Sequence, residues 1–206
     1  MAVKFPIGSA ILVGGASRRM GADKSEVRLA GMPLIEHVVL RLKPQADSIL
    51  LVGDEQSDAS TTREFCVPDC MPGRLGPLVG VLTALEWYAR ERQGVKYVFV
   101  TSVDVPFLPR DVLKQLVAKR EKETEIIFAK SQDQIQYLAG LWPVEMAPSL
   151  RFYLEANQGR SIKRFVADKP LRTVIFSAPD VDPFLNVNTA KDLAKAEWLA
   201  AKFRGR

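Results

Sequence analysis

Five widely spaced apolar runs of strand length set the terms on which this chain can fold: Ala10 to Val13, Ser48 to Val52, Tyr97 to Val100, Glu125 to Ala129 and Thr173 to Phe176. They are near-continuous in apolar character rather than alternating, which marks strands covered on both faces. Between them lie segments with helical spacing, at Leu34 to Leu42, Leu78 to Arg90, Pro109 to Arg120 and Thr189 to Ala201. Strand and helix in alternation predict an α/β fold of three layers, a mainly parallel sheet with helices on both faces. Pro109 suits a first helical turn, where its missing amide hydrogen is not needed. Thr189, with Asp192 three residues later, reads as an N-cap. From near Glu125 a second half is expected to add β-structure over the sheet's edge, with Ile135 to Trp142 as a further strand. No repeat, low-complexity tract or linker interrupts residues 1–206, so one domain with two functional halves is expected.

Composition narrows the class. With 47% hydrophobic and 26% charged residues, the chain of 206 residues has an ordinary core-forming content. A chain this long buries roughly 70% of the surface its unfolded form exposes, enough to fold without a disulfide or structural metal. Cys66 and Cys70 lack a second pair, and the only histidine, His37, is remote in sequence. A closed zinc site needs four ligands, so ordinary reduced thiols are expected. The N-terminus has no long apolar segment and no stretch reaches the roughly 18 apolar residues that span a bilayer. A cytoplasmic protein with no membrane partner is expected. The net charge of +5 is spread among acids, without the aromatic and basic interleaving of a nucleic-acid surface, so no nucleic-acid partner is expected.

The first run leads directly into Gly14-Gly15-Ala16-Ser17-Arg18-Arg19-Met20-Gly21-Ala22-Asp23-Lys24. Open α/β sheets bind ligands beyond the carboxyl ends of their strands, and this loop leaves such an end. Paired glycines let backbone amides approach a phosphate closely, and Arg19 and Lys24 can neutralise its charge. The loop matches neither the P-loop nor the dinucleotide fingerprint, which weakens kinase and dehydrogenase readings. After the run Tyr97 to Val100 comes Thr101-Ser102-Val103-Asp104-Val105-Pro106, a carboxylate placed where a strand ends. Asp104 is a hard oxygen ligand of the kind Mg²⁺ takes together with substrate phosphates.

Leu12 to Lys24 resembles the signature loop L-A-G-G-x-S-x-R-M-G-x-D-K of sugar-phosphate and cofactor nucleotidyltransferases, and Asp104-Val105-Pro106 resembles that group's D-x-P element. Asp69 with Gly76-Pro77-Leu78-Val79-Gly80 resembles its D-x(n)-G-P-L-x-G loop, and Phe184 to Leu193 resembles the F-x-N-V-N-T element of the molybdenum cofactor guanylyltransferases. The resemblance to that family covers nearly the whole chain. It implies a Rossmann-like fold of the nucleotide-diphospho-sugar transferase type, with a nucleotide-binding N-terminal half and an acceptor-binding C-terminal half. It further implies that Leu12, Val13, Gly14, Gly15 and Lys24 hold the base and triphosphate, Val13 standing where alanine is common. Asp69, Gly76 and Gly80 would line the nucleotide pocket, and Gly53 beside Asp54 occupies the place where some members contact guanine. Asp104 would be the ligand of Mg²⁺, sharing catalysis with Arg19 and Lys24.

On the acceptor side, Asn186 and Asn188 alternate, which points both to one face of an extended segment. Gly159-Arg160-Ser161 resembles a loop near the acceptor, making Arg160 a candidate for its phosphate, while Tyr137 replaces the family's usual proline. The activity implied is transfer of GMP from GTP to molybdopterin, with cofactor-insertion proteins or molybdoenzymes as further partners. An acceptor phosphate is already anionic and needs no general base, and His37, in an apolar helical run, reads as structural. A cytidylyltransferase, a sugar-phosphate nucleotidyltransferase or a nucleotide-binding adaptor that delivers the cofactor stand as alternatives.

Overall fold

The computed structural model describes residues 6–13, 27–53, 65–73, 76–122, 124–156, 159–177 and 180–202. Each apolar run becomes a strand of one seven-stranded sheet, composed of β1 (Ile7–Leu12), β4 (Ser48–Val52), β5 (Phe65–Val67), β6 (Tyr97–Ser102), β7 (Ile126–Ser131), β8 (Gln134–Pro143) and β9 (Leu171–Ile175). The remaining pair, β2 (Arg28–Leu29) and β3 (Met32–Pro33), forms a separate small ribbon. The order across the large sheet is β5-β4-β1-β6-β8-β7-β9. β1 lies parallel to β4 and β6, β4 parallel to β5 and β7 parallel to β9, while β8 runs antiparallel to both β6 and β7.

The position of β8 corrects the expectation that the second half lies over the sheet's edge. It is threaded into the sheet between β6 and β7. The cause is local: Gln132 and Asp133, with φ of 46° and 59°, make a two-residue turn between β7 and β8. Two left-handed residues match the twist of a hairpin, and so short a connection forces its strands to pair.

Side chains alternate between two cores. From β1, Ile11 enters one, with Val38 and Leu42 of α1 (Leu34–Leu42) and Leu113 and Leu116 of α3 (Val112–Ala118). Ala196 of α6 (Ala190–Lys202) joins the same core. Ala10 and Leu12 enter the other, with α2 (Pro77–Glu91), α4 (Ala147–Glu155) and α5 (Ile162–Phe165). The three layers follow from burying both faces of the sheet. Helix α3 is shorter than the expected 109–120. Asp111, at φ −132° and ψ 18°, is not helical, so Pro109 belongs to the preceding turn, where its carbonyl accepts from Val112 N (3.3 Å).

Helix α2 is the buried spine of the second core, and its Tyr88 anchors it to the sheet. The Tyr88 hydroxyl accepts from the Ser9 amide (3.2 Å) and lies 3.0 Å from the carbonyl oxygens of both Ser9 and Ser48, to one of which it donates. Arg151 of α4 clamps α2 through Glu86, its Nε and Nη2 each 2.6 Å from a carboxylate oxygen. That bidentate pair is a strong geometry for arginine. Glu86 and its second partner Glu155 raise the Arg151 pKa further.

Candidate active site

The carboxyl ends of β1, β4, β5 and β6 form one continuous rim. Beyond the strands, Val13 N donates to Val52 O (2.9 Å), Gly53 N to Val67 O (3.0 Å) and Val103 N to Leu12 O (3.2 Å). Leu12, Val13, Gly53 and the Ser102–Asp104 segment therefore share the edge at which α/β sheets bind ligands. Gly14, Gly15, Arg19 and Lys24, expected to hold phosphates, lie outside the described residues, as does Asp54.

The loop after β5 runs beside the start of α2. Asp69 is exposed there. Cys70 N donates to Thr83 Oγ1 (2.9 Å), which donates in turn to Val79 O (2.8 Å), tethering the loop to α2. Cys66 and Cys70 form no disulfide, and burial pushes the Cys70 thiol up. Gly76 precedes the helix with φ 78° and ψ −174°, a region essentially reserved for glycine. Gly80 lies one turn into α2, where a Cβ would fall 2.8 Å from Leu12 Cδ2. The bare α-carbon is what lets α2 approach β1 so closely.

Asp104 follows directly from β6 and is only 7% exposed. Its Oδ1 accepts a short hydrogen bond from the Ser102 hydroxyl, and its backbone carbonyl accepts from Val187 N (2.8 Å). The second bond fastens the Asn186-Val187-Asn188 segment to the end of β6. Val187 is buried, Asn186 exposed and Asn188 half-buried, so the inward valine separates two polar neighbours. Asn186 Nδ2 donates to Phe184 O (3.3 Å), and Phe184 stacks edge-on against Phe176. Just downstream, Asp192 Oδ2 accepts from the Asn188 amide (3.2 Å), the Thr189 amide (2.9 Å) and the Thr189 hydroxyl (2.8 Å). The Asp192 amide donates back to Thr189 Oγ1 (3.2 Å). This reciprocal cap on α6 is led by the Thr189 hydroxyl in holding the Asp192 carboxyl below its usual range.

Arg160 is exposed at the head of α5, against the nucleotide loop: a Cβ on Gly76 would lie 3.7 Å from its Cβ. A Cβ on neighbouring Gly159 would lie 3.0 Å from the Tyr153 hydroxyl and 3.7 Å from Arg164 Nη1. His37, by contrast, faces the ribbon, its Nε2 2.8 Å from Leu29 O.

Among the described residues no group of three or more His, Cys, Asp or Glu side chains gathers into a metal cluster. The buried carboxylate of Asp104, at the rim, suits a hard cation that takes its other ligands from substrate phosphates and water. Sequence reasoning missed Ser102, for which a serine two residues before the aspartate is the one local signal. No helix among the described residues is long and apolar enough to cross a membrane.

Residues 9–174 match the family model of the MobA-like NTP transferase domain. A molybdenum cofactor guanylyltransferase of Bradyrhizobium sp. (strain ORS 278) is 38% identical over 196 residues, covering 93% of this chain and 92% of that protein. Another, of Nitrobacter hamburgensis, is 39% identical over 201 residues and 95% of each chain. The crystal structure of molybdopterin-guanine dinucleotide biosynthesis protein A from Archaeoglobus fulgidus superposes with a TM-score of 0.75 over 95% of this chain and all of that one, at 24% identity. At that identity the superposition speaks for the fold. The matched residues span the glycine loop, the loop before α2 and Asp104, and full-length similarity continues through the Asn186-Val187-Asn188 segment, so the chain belongs to the MobA-like NTP transferase family.

Proposed function

We propose that the protein transfers GMP from GTP to the terminal phosphate of molybdopterin, forming the guanine dinucleotide cofactor and releasing pyrophosphate. The observation that carries this reading is the similarity to named molybdenum cofactor guanylyltransferases across 93% and 95% of the chain. The rim at the carboxyl ends of the strands, where open α/β sheets bind ligands, supports this reading. An oxygen of the acceptor phosphate attacks the α-phosphorus in line, the bond from that phosphorus to the β-phosphate bridge breaks, and pyrophosphate leaves. The nucleophile is already anionic, so alignment and charge stabilisation do the catalytic work.

In this reading Leu12, Val13, Gly14, Gly15, Gly53, Asp69, Gly76 and Gly80 line the nucleotide, Arg19 and Lys24 neutralise its phosphates, and Arg160, Asn186 and Asn188 receive the acceptor. Asp104 would hold Mg²⁺ when the nucleotide binds. Mg²⁺, when bound, supplies screening of the negative charge that gathers on the departing pyrophosphate. Both halves then work as one domain around one rim. In this reading the reaction takes place in the cytoplasm, and the finished cofactor passes to insertion proteins or molybdoenzymes.

The test is calorimetric titration with GTP, CTP and ATP, each with Mg²⁺, followed by an assay with molybdopterin. Selective binding of GTP and formation of the guanine dinucleotide are expected. Selective CTP binding would replace guanine by cytosine in the assignment, and nucleotide binding without any transfer to molybdopterin would overturn the enzyme in favour of a delivery adaptor.

A further inference from the structure

Asp104 is held at its backbone and at its side chain by different parts of the chain. Its backbone is pinned by Val187 N on its carbonyl (2.8 Å), and the neighbouring Val103 N donates to Leu12 O (3.2 Å). Neither bond fixes the carboxylate, which could still turn about its own side-chain torsions. Ser102, whose hydroxyl donates to Oδ1, restricts that freedom.

Ser102 is well built for the task. It is the last residue of β6, paired in parallel register with Leu12 of β1, so the sheet fixes its Cα. Its exposure is 7%, equal to that of Asp104, which keeps competing water away from the contact. A hydroxyl has a single proton, and here it is committed to the carboxylate. An alanine at the same place would satisfy the strand equally well, but would leave Oδ1 buried without this donor.

We infer that Ser102 is a positioning residue of the transfer reaction: its hydroxyl aims the Asp104 carboxylate so that a divalent cation carrying the nucleoside triphosphate meets it in one orientation. The inference rests on the proposed role of Asp104 as cation ligand. Groups that orient metal ligands typically change metal affinity or activity by about 10- to 100-fold when removed.

The experiment measures Mn²⁺ binding by electron paramagnetic resonance in the presence of GTP, for the wild type, Ser102→Ala, Asp104→Ala and the double variant, alongside steady-state kinetics. Ser102→Ala is expected to weaken Mn²⁺ binding by about tenfold or more and to lower kcat, while the KM for the acceptor stays unchanged. Adding Ser102→Ala to Asp104→Ala should cost nothing further in Mn²⁺ affinity, because the serine acts only through the aspartate. Full Mn²⁺ affinity in Ser102→Ala, with affinity lost in Asp104→Ala, would overturn the role of Ser102 alone. Full affinity in Asp104→Ala would overturn the assignment of Asp104 itself.

Discussion

Gly76 and Arg160, far apart in sequence, meet back to back: a Cβ added to Gly76 would stand 3.7 Å from both the Cβ and the carbonyl oxygen of Arg160. Gly76 is the N-cap of α2, the helix that packs against β1, whereas Arg160 immediately precedes Ser161, the N-cap of α5, in the other half of the chain. The contact brings the candidate acceptor arginine to the candidate nucleotide loop. Strain and proximity at this point are separable, which makes it the first place to test.

Gly76→Ala should be destabilising even though the space beside it admits a methyl group. At φ 78° and ψ −174° an alanine meets its own backbone, a cost of about 1–3 kcal/mol. A lower urea midpoint with an unchanged m-value is the expected result. An unaltered midpoint would mean that this turn relaxes to an ordinary conformation without loss.

Arg160→Ala removes an exposed cation from the same junction. If it grips the acceptor phosphate, the KM for the acceptor should rise by about 10- to 100-fold, the worth of a hydrogen bond to a charged group. Calorimetric affinity for GTP should remain as in the wild type. A matching loss of GTP affinity would instead assign Arg160 to the nucleotide.

Much of this architecture is legible in the chain because burial on both faces leaves a strong local signature. Ile49 to Val52 and Val98 to Val100 are apolar without interruption, and their strands lie inside the sheet. Asp104 is legible for a related reason, as a charge set immediately after such a run. The hairpin at Gln132 and Asp133 is not, because neither residue is glycine or asparagine, although both take positive φ. Helices α4 and α5 are short, and α4 is held in part by Glu86, a partner that no local pattern announces. The bond from Val187 N to Asp104 O is likewise a product of tertiary folding between two backbones. Side-chain patterns carry no record of it.

Tyr88→Phe should separate stability from activity. Its hydroxyl sits at Ser9 and Ser48, near the amino ends of β1 and β4 and away from the rim. Losing it deprives buried backbone groups of a partner, a cost of about 1–3 kcal/mol. Denaturant unfolding should register that loss while kcat and both KM values hold. A fall in kcat at full occupancy would mean that the two ends of the sheet are mechanically coupled.

The cap on α6 predicts how stability responds to acid. The Asp192 carboxyl is held below its usual range, first by the Thr189 hydroxyl and then by the amides of Asn188 and Thr189. A depressed carboxyl contributes stability that is fully present above its unfolded value, about 3.9, and that disappears as pH falls through the lower folded value. Glu125 acts with the same sign: burial opposes its charge, but the guanidinium of Arg172 and the amides of Glu121 and Lys122 outweigh it. Thr189→Ala should therefore cost about 1 kcal/mol at pH 7, the usual worth of an N-cap. The deficit should shrink as unfolding is repeated at successively lower pH below about 4, because the wild type loses the same carboxylate bond on protonation. A deficit that stayed constant down to pH 2 would show that Thr189 stabilises the helix without engaging the charge of Asp192. Glu125, paired with Arg172, should then contribute to the acid sensitivity the variant retains.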